Sequence, residues 1–231
     1  MKTIGLLGGM SWESTQTYYR LLNEQVKARL GGLHSAKIML YSVDFAEIEA
    51  LQRSGDWDRA GERLASAAQA VENAGADFLV IGTNTMHKVA PQVAEAIRIP
   101  LLHIADATAE VLRLDGITKV GLLGTRFTME QPFYRERLEN AGIEVVIPDE
   151  PHRALVHRVI FEELCLGQIN PKSRQAFLDI LASLAEQGSE GVILGCTEIG
   201  LLIQQAHTPV RLYDTTAIHA VKAVTLALAA D

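Results

Sequence analysis

Cysteine is nearly missing from this chain of 231 residues: Cys165 and Cys196 stand alone, and neither belongs to a CxxC pair. That argues against a disulfide or zinc–thiolate framework and leaves free-thiol chemistry as the use for cysteine. Long apolar runs are missing as well, since none approaches the roughly 20 residues a membrane helix needs. The opening MKTIGLLGGMSWES passes at once from a short apolar run to glycines and polar residues, without the length or cleavage pattern of a secretory signal. A cytoplasmic location with no membrane partner is the expectation. There is no block of Lys or Arg, and the formal net charge is -7, so no nucleic-acid partner is expected either. The seven histidines follow no HExxH-like spacing, and no metal is expected. The first turn, GLLGGMSWES, is neither GxGxxG nor a P-loop, which weakens any dinucleotide reading; its glycines and Ser11 suit a small carboxylate better.

What the chain does have is alternation. Short runs rich in Ile, Leu and Val occur at 3–8, 37–43, 77–82, 100–104, 119–124, 144–148, 191–195 and 209–213. Between them lie stretches such as 14–30 and 58–75, with apolar residues three and four apart and a glycine at or just beyond the end, as amphipathic helices have. Strands that are apolar throughout, alternating with helices, predict an α/β protein whose parallel sheets are covered on both faces.

The chain also repeats itself. TIGLLGG from Thr3 matches KVGLLGT from Lys119, GADFLVIGTNT from Gly75 matches GSEGVILGCTE from Gly188, and PLLHIADAT from Pro100 matches PVRLYDTT from Pro209. The three matches keep their order at offsets of about 116, 113 and 109. Two similar Rossmann-like domains with four-stranded parallel sheets, related by pseudo-twofold symmetry, are therefore expected: residues 1–106 plus 214–231, and residues 107–213. Ligands of open parallel sheets bind beyond the carboxyl ends of the strands, where the repeated turns fall, so Thr83 and Cys196 are expected to approach one cleft from opposite sides.

Cys196 follows a strand and precedes a helix, a setting that lowers a thiol pKa from about 8.5 and makes a base or nucleophile. Around Thr83 the sequence TNT offers two hydroxyls and an amide ahead of helical N–H groups, which suits a carboxylate and equally suits a helix cap. His87 either orients a group in the cleft or is structural. Gln52 and Arg53 follow the second strand, where they reach a substrate's far end or lie on a solvated helix. Cys165, in a helical pattern closing at Gly167, reads as packing.

With GGMS, TNTMH, GTRFTM and GCTE in place, the chain resembles the aspartate/glutamate racemase family over essentially its whole length. The resemblance implies a cofactor-independent isomerase, working without pyridoxal phosphate, as a homodimer, on a small amino acid substrate including its D form. It implies two thiols flanking the substrate α-carbon; Cys196 matches the second, while Thr83 stands where the first would be. By the same resemblance Met10, Ser11, Asn84, Thr85, Thr125, Thr197 and Glu198 hold the substrate's carboxylate and amino groups, and Gln52 its distal side chain. Some relatives place a cation where Gln52 stands, so strict specificity for acidic substrates does not follow. Proton abstraction by Cys196, with Thr83 or a water it positions serving the other face, is the expected chemistry. A one-cysteine decarboxylase or isomerase of the wider superfamily, and a catalytically weak protein binding an acidic metabolite, are the competing readings.

Overall fold

The computed structural model describes residues 1–229. Its chain divides into two compact units, Met1–Ile104 with His219–Asp231, and Ala105–Ile218. In the first, β1 (Ile4–Gly8), α1 (Trp12–Leu30), β2 (Ile38–Ser42), α2 (Phe45–Ser54), α3 (Trp57–Asn73) and β3 (Phe78–Ile81) lead to a 3-10 turn at Thr85–Val89. α4 (Ala90–Glu95) and β4 (Leu101–Leu102) follow. The four strands pair in parallel in the order β2-β1-β3-β4.

Side chains alternate across a strand, and in the central strands both sets are apolar. Leu7, Leu79 and Ile81 face a layer in which α3 presents Leu64, Ala67, Ala68 and Val71 at helical spacing. Ile4, Leu6, Phe78 and Val80 face the other way, onto Tyr18, Leu22 and Val26 of α1 and onto Ala220, Ala223, Val224 and Ala227 of α11 (Thr215–Leu228). At about 25 cal/mol per Å² of apolar surface, these two layers are the main stabilising contribution of the unit. The last helix in sequence thus completes the core of the first unit.

The second unit takes over after the first residue of α5 (Ile104–Leu114) and runs through β5 (Lys119–Gly124), α6 (Arg126–Glu130), α7 (Pro132–Asn140), β6 (Glu144–Val146) and α8 (Glu150–Glu162). After a 3-10 turn at Leu164–Leu166 come α9 (Pro171–Glu186), β7 (Val192–Gly195), α10 (Ile199–Leu202) and β8 (Leu212–Asp214). Its sheet is again parallel and its order, β6-β5-β7-β8, repeats that of the first. Val156, Val159 and Ile160 of α8 and Phe177, Ile180, Leu181 and Leu184 of α9 are buried, as is every residue of β5 from Val120 to Gly124. The expected α/β class with two four-stranded parallel sheets is what the chain adopts.

Two expectations need correction. The sheets are not covered everywhere, because Met39, Leu40 and Tyr41 of the edge strand β2 are exposed. A strand at an edge, paired only with β1, is apolar here without being core. The eighth strand lies later than the 209–213 run, at Leu212–Asp214, because Gln205 binds the preceding segment through its side chain, accepting from Leu212 N and donating to Val210 O at 2.9 Å each.

Candidate functional site

β1 and β3 are neighbours, so their carboxyl ends emerge together, and Gly82 N–H still donates to Leu7 O at 2.8 Å. Beyond β1 the chain turns at Gly9, whose φ of +90° and 2.2 Å clearance between a would-be Cβ and Val43 O leave room for glycine alone. Ser11 caps α1, accepting from Ser14 N–H at 3.3 Å. Thr15 Oγ1 accepts from Gly9 N–H at 2.7 Å and donates to Ser11 O at 2.8 Å, while Ser14 Oγ donates to Gly82 O at 3.3 Å. The two strand-end turns are thereby tied to each other. Met10 packs in the apolar core, and Gln52, buried on α2, directs its Nε2–H at Met86 Sδ, 3.0 Å away. Asn84 and Thr85 are buried, and Thr83 is the only partly exposed residue from Phe78 to His87. The helix after TNT is a tight 3-10 turn followed by the six residues of α4, shorter than the helical anion site expected of it.

The second unit builds the same feature from β5 and β7. Their glycines Gly124 and Gly195 are in register, and a Cβ on Gly195 would lie 2.7 Å from Leu123 O, so the strand ends approach as closely as backbones allow. Thr125 caps α6 through Thr128 N–H at 3.3 Å, as Ser11 caps α1. Cys196 is the only partly exposed residue from Gly191 to Ile199. Its thiol donates to Glu198 Oε2 at 3.0 Å, and Thr197 Oγ1 donates to the same oxygen at 2.6 Å. Glu198 is itself buried.

This geometry reverses the expected direction of the Cys196 pKa. Burial, then the neighbouring Glu198 carboxylate, push the thiol well above its ordinary value, and the four-residue α10 is too short to offset them. Cys165, half-buried in the 3-10 turn before Gly167, adds a smaller effect of the same sign. That influence of Cys165 had no sequence signal, since the two thiols are 31 positions apart. Arg53 is exposed and pairs with Glu49 at 3.8 Å rather than joining Gln52.

Met10, Ser11, Gln52, Thr83, Asn84 and Thr85 thus gather at the strand ends of the first unit, and Thr125, Cys196, Thr197 and Glu198 at those of the second. Among the described residues, no group of three or more His, Cys, Asp or Glu side chains is arranged to hold a metal ion. No described helix is long and apolar enough to cross a membrane.

Comparison with known proteins agrees with this layout. Residues 7–223 match the family model for Asp/Glu/Hydantoin racemase. Over 233 residues the chain is 25% identical to the broad specificity amino-acid racemase RacX of Bacillus subtilis (strain 168), covering 98% of each. A crystal structure from Yersinia pestis with a provisional Asp/Glu racemase assignment is 57% identical, with a TM-score of 0.92 over 99% of this chain and 100% of that one. PH1733, an aspartate racemase homologue from Pyrococcus horikoshii OT3, is 37% identical with a TM-score of 0.85, over 98% of this chain and 99% of that one. The duplicated sheets, the matched strand-end turns and a family match across nearly the whole chain lead to one conclusion: this protein belongs to the Asp/Glu/Hydantoin racemase family.

Proposed function

We propose that this protein is a cofactor-independent racemase of aspartate, glutamate or related amino acids, acting by removal and return of the α-proton. The observation that carries the reading is the matched pair of strand ends, each with one partly exposed side chain, Thr83 in one and Cys196 in the other. The names of its relatives support the substrate class: broad specificity for amino acids in RacX, and homology to aspartate racemase in PH1733. In this reading residues 1–106 with 214–231 and residues 107–213 supply one catalytic side chain each.

Glu198 supplies what a lone raised-pKa thiol lacks. As the sulfur takes the α-proton from one face, the thiol proton passes to Glu198 Oε2, so a neutral thiol acts as a base without ever resting as thiolate. In the reverse step the thiol protonates the carbanion and recovers its proton from Glu198. Strand-end N–H groups of the TNT and GCT turns stabilise the charge that grows on the substrate carboxylate. Thr83 serves the opposite face, its hydroxyl or a water it positions giving the carbanion a proton and then recovering one from solvent, while Glu198 releases to solvent the proton it took. A hydroxyl is a poor base at neutral pH, so inversion is slow. The two enantiomers are equal in free energy, so kcat/KM is equal in both directions however unlike the two residues are.

Proton NMR in deuterated buffer across L- and D-amino acids tests this. The expected result is loss of the α-proton signal from one enantiomer faster than inversion, and a loss of about 1000-fold in that exchange in Cys196→Ala. Normal turnover in Cys196→Ala overturns the mechanism. The single thiol also favours a second reading, one-sided protonation after decarboxylation, and carbon dioxide release from aryl- or alkylmalonates without amino acid exchange would establish it instead. Exchange with no substrate of either kind, together with tight binding of glutamate or aspartate, would identify a binding protein. We further propose a cytoplasmic homodimer.

A further inference from the structure

We infer that His87 is a positioning residue for Thr83, a neutral imidazole strut that holds the Thr83 turn in place and sets how well that face of the substrate is served. The inference rests on the racemase reading above. His87 is 1% exposed. Its Nδ1 lies 2.7 Å from Thr83 O, a carbonyl that only accepts, so Nδ1 carries the proton. Its Nε2 accepts from Ile104 N–H at 3.2 Å, so Nε2 carries the lone pair. The two contacts together select the neutral Nδ1–H tautomer.

The strut is needed because the sheet stops short of Thr83. β3 ends at Ile81, and Gly82 N–H is the last main-chain group of this segment to bond with β1. His87 carries the Thr83 carbonyl onward to the first N–H of α5, extending the bracing of the strand end past Gly82, whose carbonyl Ser14 holds.

Comparison of the two halves isolates this device. In the repeat that aligns Thr83 with Cys196, His87 aligns with Gly200. There Cys196 O accepts from Ile199 N–H at 3.1 Å, a main-chain bond that needs no side chain. The space is taken instead by Asp214, whose Oδ2 would lie 3.2 Å from a Cβ on Gly200. Asp214 caps the following helix through Thr216 N–H and Ala217 N–H at 2.9 and 3.3 Å. In the first unit a histidine both accepts from the helix start and reaches back to the catalytic turn; in the second, an aspartate does only the former. The halves therefore differ twice, at the reacting side chain and at its support, and the weaker acid is the one given the brace.

The test separates the two faces of one reaction. In deuterated buffer, exchange with retention from one enantiomer reports the Cys196 face, and inversion requires the Thr83 face too. His87→Leu removes both contacts and should lower the ratio of inversion to exchange about 10- to 100-fold, leaving Cys196-face exchange within a few-fold of wild type. His87→Asn places an amide N–H where Nδ1 was and should keep most of the ratio; His87→Gln, whose longer amide falls at the Nε2 end, should lose it. If the Leu variant does not fold, the Asn and Gln pair decides. An unchanged ratio in Leu and Gln, or a uniform fall in both processes, overturns the inference. A nitrogen-15 NMR spectrum of the wild type showing His87 protonated at Nε2 overturns it independently. Absence of any α-proton exchange in the wild type is a different failure, that of the racemase reading itself.

Discussion

Glu198 acts on Cys196 in two opposed ways, and one substitution separates them. Its charge raises the thiol pKa, while its Oε2 is the acceptor for the thiol proton. Glu198→Gln should therefore make Cys196 react faster with iodoacetamide near neutral pH, because the thiolate forms more readily, while racemisation falls about 100-fold for want of the acceptor. If both rates fall, the carboxylate's role is only to hold the turn. At the other strand end, Thr83→Cys gives that face a better acid and base and should raise inversion about tenfold or more, read as D-to-L conversion by chiral chromatography. The sequence alone matches Thr83 with Cys196, because a repeat compares them directly. It misjudged the thiol's ionisation, because the direction depends on burial and on which way a side chain two residues away points. Neither quantity is written in a motif.

Elements carry their own titration. His219 on α11 accepts from Tyr18 O–H of α1 at Nδ1, 2.9 Å, and donates from Nε2 to Leu102 O of β4, also 2.9 Å. Burial pushes its pKa down from 6.5 to about 4, only partly countered by the Leu102 bond. Between those values the unfolded chain binds a proton that the folded chain refuses. Stability is therefore fully present above pH 6.5 and declines as the pH falls to about 4, by on the order of 3 kcal/mol from this group. His219→Gln keeps a donor toward Leu102 and removes the titration. Urea midpoints for this variant should be lower at pH 7 and should fall less between pH 7 and pH 4.5 than those of the wild type. The eight strands were legible because buried parallel strands are apolar on both sides, so each announces itself as a short run. β8 was displaced because its register follows the Gln205 side chain, whose bonds to Val210 O and Leu212 N–H leave no mark in the apolar pattern. β2 reads like a core strand in sequence, yet it is not one in the folded chain.

At the scale of the molecule that strand supports the proposed homodimer. Met39, Leu40 and Tyr41 are 37%, 47% and 43% exposed on consecutive positions, so apolar groups face outward on both sides of an edge that has unpaired main-chain groups. Trp12 and Tyr19 of α1, 64% and 55% exposed, are further exposed aromatic side chains of the same unit. A second copy pairing along β2 would bury that edge. Sedimentation should show a dimer, and Leu40→Glu with Tyr41→Lys should yield monomers with unchanged circular dichroism; a dimer that survives both changes places the interface elsewhere.

The docking of α11 on the first sheet has a consequence for the order in which the chain is made. Ile4, Leu6 and Tyr18 leave the ribosome about 200 residues before the alanine-rich face that covers them, Ala220 to Ala227. The stretch from Ala105 to Ile218 is meanwhile finished. The thiol-bearing half has all its own residues before the alcohol-bearing half does, and a nascent chain halted at Ile218 leaves the older half, not the younger, with an open core.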